Sequence, residues 1–306
     1  MVVGMRPTSC LTPNLACVPK IADLLRQGPT MSFEFGPPRT DDAERQLHKA
    51  LLKLERLQPS FTSVTYGALG STRDKTREIV EHIHRSTSMT VMPHLTCVGH
   101  TRAQIDAIVG DYSEMGIENL LALGGDPPVD GGDLPTDFTH ATELIEVARE
   151  LGDFSIGVAA FPEVHPRSPD RETDRRHLAA KLRVADFGIT NFGFHADDYF
   201  RMVEELGALG VSTPVLPSVM LFNNVEGLHR MATINRVRLP EGLVAQLERA
   251  ASPRDVRSVA VEWGTALTQE LLDAGVPGIH LYTLNASHAT LDVYANLGLG
   301  PATTGD

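Results

Sequence analysis

Met31-Ser32-Phe33-Glu34-Phe35-Gly36-Pro37-Pro38 is a short, mostly apolar run stopped by a glycine and two prolines. Such residues interrupt a ladder of strand hydrogen bonds, so a strand over 31–35 ends here. Residues 41–57 follow with Leu47, Leu51, Leu54 and Leu57 on one helical stripe. Asp41 and Asp42 stand at its start, where the helix dipole favours negative charge. Residues 61–66, Phe-Thr-Ser-Val-Thr-Tyr, return to strand. Outward from this strand–helix–strand unit the pattern repeats. Strands are predicted at 90–96, 119–123, 154–160, 187–192, 215–220 and 278–283. Helices are predicted at 73–85, 102–115, 140–151, 174–185, 197–209, 225–234, 241–250, 254–274 and 287–297, with a short one at 21–27. The strands read as unbroken apolar or β-branched runs, as strands buried on both faces do. Eight strands, each followed by helix, predict an α/β chain folded as a (β/α)8 (TIM) barrel. The barrel occupies 30–300 as a single domain, with a leader and short helix over 1–29 and a tail over 301–306.

Charge narrows the partners. Asp and Glu number 39 against 27 Lys and Arg, a net −12 over 306 residues. Such a chain repels phosphate backbones and anionic lipid. No run reaches the length of a membrane span. Neither nucleic acid nor membrane is an expected partner; a small molecule is, and homo-oligomerisation stays open. Cys10, Cys17 and Cys97 have irregular spacing, which suits reduced thiols in the cytoplasm. His82 and His84 lie two apart on a helix and point in different directions, and no metal-binding, Walker or GxGxxG spacing occurs, so no metal is expected.

Active sites of such barrels lie at the C-terminal ends of the strands. Those ends carry Glu34, Thr65-Tyr66, His94, Asp126, Glu163 with His165, Asn191, and Tyr282 with Asn285. Glu34 sits between two phenylalanines, and apolar surroundings favour a protonated carboxyl, which makes it a candidate general acid. Each has a plainer reading. Glu34 could be a structural carboxylate, His94 a hydrogen-bonded wall residue, and Asp126 a turn residue.

Several of these residues fall in longer motifs. Residues 32–39 (SFEFGPPR), 61–68 (FTSVTYGA), 93–97 (PHLTC), 125–128 (GDPP), 159–166 (AAFPEVHP) and 282–285 (YTLN) resemble, in order, the methylenetetrahydrofolate reductase family. The resemblance implies a barrel that reduces 5,10-methylenetetrahydrofolate to 5-methyltetrahydrofolate with NADH or NADPH, through bound FAD. It implies that Glu34 is the acid and that Asp126 faces the pterin and tunes the flavin. Tyr66, Ala68, His94, Gly125, Phe161, His165, Asp174 and Lys181 match flavin-contacting positions, and Thr65 one that also meets the nicotinamide. Asn191 matches a substrate-binding position.

Departures from the family gather at ligand positions. Gly124 replaces an arginine, Phe161 a tyrosine, Asn191 a glutamine, Gly227 a glutamine and Ala286 an arginine. Lost polar partners at 124, 161 and 191 are expected to weaken FAD. The folate tail then falls to Arg39 or Lys181, or to solvent. Three readings stay open: a flavin-dependent reductase; a reductase passing hydride directly from nicotinamide to folate; and a non-catalytic folate or nucleotide binder, or an enzyme for another one-carbon substrate.

Overall fold

The barrel closes through β1 (Thr30–Phe35), which pairs in parallel with both β2 (Phe61–Val64) and β8 (Gly278–Tyr282). Between them β3 (Val91–Thr96), β4 (Asn119–Leu123), β5 (Ser155–Ala160), β6 (Phe187–Phe192) and β7 (Val215–Met220) follow in sequence order. This computed structural model describes residues 18–66, 73–125 and 137–300. Helix α1 (Ile21–Gln27) precedes the barrel. Around it run α2 (Asp41–Leu54), α3 (Arg73–Ser86), α4 (Arg102–Met115), α5 (Ala141–Leu151), α6 (Arg171–Leu182) and α7 (Ala196–Ala208). Then come α8 (Val225–Asn235), α9 (Glu241–Arg249), α10 (Pro253–Asp273) and α11 (His288–Asn296). No helix among the described residues is long and apolar enough to cross a membrane.

Element ends depart from expectation where a side chain intervenes. Asp170 accepts from the Thr173 amide at 2.7 Å, so α6 starts at Arg171, three residues early. The predicted helix over 41–57 tightens into a 3-10 turn, Glu55–Leu57, and β2 stops at Val64.

Successive strand residues alternate in direction. In β1, Phe33 and Phe35 join the core between strands and helices, while Ser32 and Glu34 face the barrel interior. The interior is apolar at its lower end, where Ile21 joins Phe61, Met92, Leu121, Phe187, Ile189 and Leu216. Helix α1 forms the floor. Its first amides are orphan donors, and its N-cap Lys20 makes no side-chain cap. Asn119, first residue of β4, accepts from Ile21 N at 2.8 Å, and Ser155, first of β5, from Ala22 N at 3.1 Å. Ile21 is fully buried, which contributes roughly 1.5–3 kcal/mol. At the opposite end, Phe192, Phe194, Met220 and Phe222 pack with Leu228 of α8 and Leu243 of α9. That cluster fills the β6–β7 flank and leaves open space over β1 to β6.

Candidate active site

A cavity of about 760 Å³ opens at the C-terminal ends of the strands. Glu34, Tyr66, His94, Gly125, Phe161, His165, Asp174, Lys181 and Asn191 all line it, with Tyr282 from β8. Ala68 and Asp126 lie outside the described residues. Thr65 is not among the lining residues. Its hydroxyl lies 3.3 Å from where a Cβ on Gly36 would stand, and its carbonyl accepts from Thr76 Oγ1 at 3.0 Å. Two other strand-end residues hold loops instead. Asn285 brackets Gly36, accepting from its N–H and donating to its carbonyl, both at 2.8 Å, and Glu163 accepts from Arg238 N at 2.9 Å.

Glu34 ends a hydrogen-bonded chain that runs down into the barrel. Ser32 Oγ donates to Ile279 O at 3.1 Å, so it accepts from His280 Nδ1 at 2.8 Å. His280 Nε2 lies 3.1 Å from Ser63 Oγ, and Ser63 Oγ lies 3.5 Å from Glu34 Oε2. A hydroxyl has one proton to give. With His280 neutral, Ser63 donates to Nε2 and faces Glu34 with a lone pair, the partner a protonated carboxyl needs. When Ser63 donates to Glu34 instead, it has no proton left for Nε2. The two neighbours therefore compete for one hydroxyl proton. Across the cavity, His94 Nε2 lies 3.5 Å from Glu34 Oε2 without a hydrogen bond. Burial pushes His94 down to about 4 against the opposing pull of Glu34, so the ring is neutral at pH 7. Burial, and next the Glu34 charge, hold Tyr282 as a phenol, with its OH 3.4 Å from Thr190 O.

The loop from β5 to α6 is built around Arg175, which is 3% exposed. It donates to the carbonyls of Phe161, Pro162 and Glu163 at 3.1, 2.6 and 3.1 Å, and pairs with Asp174 and Glu205, both at 2.6 Å. The other Asp174 oxygen accepts from His165 N and Ser168 Oγ, both at 3.1 Å. Asp174 thus shapes the loop as well as lining the cavity. The Phe161 ring meets His165 edge-on at 4.5 Å. Lys181 donates to Ala159 O at 2.8 Å, and burial pushes it down to about 8. Asn191 donates to Asn235 Oδ1 at 3.1 Å, so the shortened amide is tied to α8. Tyr66 OH meets His100 Nε2 at 3.0 Å. Gly125 has φ +83, and a Cβ there would stand 3.1 Å from the Cβ atoms of Thr96 and Val98, so glycine is required.

On the outer surface His82 turns to His48, with ring nitrogens 3.2 Å apart. Among the described residues no group of three or more His, Cys, Asp or Glu is placed to hold a metal ion. Ser63, His280, Arg167 and Arg175 were not singled out from sequence. His280 has a sequence signal nonetheless, since it stands two residues before Tyr282 in β8 and so faces the same way.

Fold and cavity together define a (β/α)8-barrel enzyme with a buried carboxyl at its cavity wall, joined through Ser63 to a histidine inside the barrel. A family profile described as methylenetetrahydrofolate reductase matches residues 20–298. The 5,10-methylenetetrahydrofolate reductases of Pectobacterium carotovorum subsp. carotovorum and Escherichia coli K12 are 35% and 32% identical over 277 residues, covering 89% of this chain and 91% of each relative. The chain belongs to the methylenetetrahydrofolate reductase family and is an oxidoreductase. An Arabidopsis thaliana relative named methylenetetrahydrofolate reductase (NADH) 1 is 33% identical over 92% of this chain and half of its own length. Among solved structures, a Clostridium thermocellum protein described as binding two copies of 5-methyl-5,6,7,8-tetrahydrofolic acid superposes with TM-score 0.61 at 12% identity, over 90% of this chain and 96% of its own. That likeness shows the fold.

Proposed function

We propose that this chain reduces the methylene bridge of 5,10-methylenetetrahydrofolate to the methyl group of 5-methyltetrahydrofolate, with a nicotinamide dinucleotide as electron donor and Glu34 as general acid. The observation that carries the reading is Glu34 itself, at the cavity wall with its oxygen reached through Ser63 by His280. Family membership supports the substrate. The bridge carbon accepts hydride once one of its two C–N bonds opens to an iminium, and the departing nitrogen needs a proton. Glu34 supplies that proton and solvent at the open cavity mouth restores it, with Ser63 and His280 orienting the carboxyl. Hydride from the nicotinamide then completes the methyl group, leaving oxidised nicotinamide and an N–H on the folate, so charge and electrons balance. Neutral His94 and Tyr282 keep a second charge away from the acid.

The cavity residues fit a dinucleotide, since Lys181 is half-buried beside it with no carboxylate ion pair among the described residues. FAD, when bound, supplies a two-electron carrier between nicotinamide and folate. Tyr66, His94, Phe161, His165, Asp174 and Lys181 are the described residues that would hold it. Phe161 has no hydroxyl and Asn191 is engaged by Asn235, so the flavin is held loosely.

The test is consumption of NADH or NADPH by purified protein with 5,10-methylenetetrahydrofolate, with and without added FAD. The expected product is 5-methyltetrahydrofolate. Glu34→Gln keeps the shape but has no proton to give, and should lower turnover by about a hundredfold. No methyl product under any of these conditions rejects the reading.

A further inference from the structure

Around the cavity most buried charge is matched. Asp174 meets Arg175, and Glu205 meets Arg175 and Arg171. Two cations lining the same cavity, Lys181 and Arg167, make no ion pair among the described residues. Arg167 stands on the turn that Asp174 and Arg175 hold, its own N–H donating to His165 Nδ1 at 3.1 Å. Its guanidinium crosses to the end of β4, where Nη2 donates to Gly125 O at 3.1 Å and lies 3.9 Å from where a Cβ on Gly124 would stand. Gly124 therefore leaves the room that Arg167 enters.

We infer that Arg167 and Lys181 form the subsite for the diphosphate of a dinucleotide, with Arg167 supplying from the β5–α6 loop the guanidinium that residue 124 does not. Lys181 is half-buried without a carboxylate partner among the described residues, a cost that a bound anion removes, while Arg167 is exposed beside it at the same cavity. The guanidinium has donors to spare after one bond to Gly125 O, and its planar fork suits phosphate oxygens. The placement also resolves a conflict of scale, because a chain of net −12 repels an anionic ligand except where positive groups gather locally. FAD and the nicotinamide donor both carry a diphosphate. The choice between them rests on the proposed reductase function; the subsite does not.

Calorimetric titration with ADP, and with adenosine as the uncharged control, tests the inference directly. Arg167→Gln should weaken ADP by about tenfold or more, the loss of a charge-assisted hydrogen bond, and leave adenosine unchanged. Adding Gly124→Arg to Arg167→Gln should return most of the ADP affinity, because the new side chain starts in the same room. Titrations of FAD and of NADH identify the natural ligand as the one whose affinity drops in Arg167→Gln. No ADP binding by the unaltered protein, equal ADP affinity in Arg167→Gln, or a matching loss for adenosine would each overturn the subsite. Reductase turnover of the same unaltered sample is scored separately. Turnover with ADP binding indifferent to Arg167 rejects the subsite alone, whereas Arg167-dependent ADP binding without turnover rejects the reductase reading alone.

Discussion

Ser63 has a single hydroxyl proton and two neighbours that compete for it, His280 and Glu34. Cutting that link isolates the acid without touching it. Ser63→Ala should lower kcat by about tenfold and move the pH–rate profile, with the folate KM little changed. An unmoved profile would show that the Ser63–His280 link does not set the acid's titration. His94 also bears on stability. Unfolded, its ring takes a proton near 6.5; folded, burial holds it to about 4. Between those values the unfolded chain binds the extra proton, so stability falls as pH drops through the window and is unaffected above it. The full loss is about 3 kcal/mol. Urea unfolding at pH 4.5 and pH 7 should show a smaller difference for His94→Gln than for the parent; equal differences would assign the acid sensitivity elsewhere.

At the scale of elements, α1 depends on side chains that belong to the strands above it. Asn119→Ala removes the acceptor for Ile21 N and the donor to Pro19 O together. It should cost about 1–2 kcal/mol, seen as a lower Tm, with Ser155→Ala costing less. A Tm unchanged by Asn119→Ala would show that water caps the helix equally well. Elements of this chain were legible because a parallel barrel strand is an unbroken apolar run and its helices keep a leucine stripe, as at Leu47, Leu51 and Leu54. Where a single polar contact decides, pattern is blind. Asp170 starts α6 three residues ahead of its apolar stripe. Much of the cavity was legible for a related reason, since Glu34, His94 and Phe161 sit in contiguous motifs at strand ends. The chain beneath Glu34 was not. It joins Ser32 to His280 across 248 positions, and nothing short of barrel closure brings them together. Arg167 was hidden differently: its partner is a space, defined by the side chain that Gly124 lacks.

For the whole molecule, the opposition between overall charge and local charge sets how cofactors are held. Phe161 and the engaged Asn191 withdraw two polar contacts, each worth about 1 kcal/mol, or together about thirtyfold in affinity. Freshly purified protein should therefore show less than one FAD per chain in its visible spectrum. One FAD per chain that survives gel filtration would mean that other groups make up the difference. Rising salt should weaken ADP and leave adenosine unchanged, because the attraction is confined to partly exposed cations in an otherwise negative surround. A salt-independent ADP affinity would place its binding energy in contacts to the base and sugar.

The floor under the barrel bears on the order of events. Ile21 and its apolar neighbours close the interior below the polar chain, so no passage leads from the cavity through the barrel. Whatever enters above the strands has to back out the same way. On the proposed function, oxidised donor and methylated product leave by the same doorway, and the step that clears it becomes a candidate for the pace of the cycle. Turnover in such a cul-de-sac should slow as medium viscosity rises.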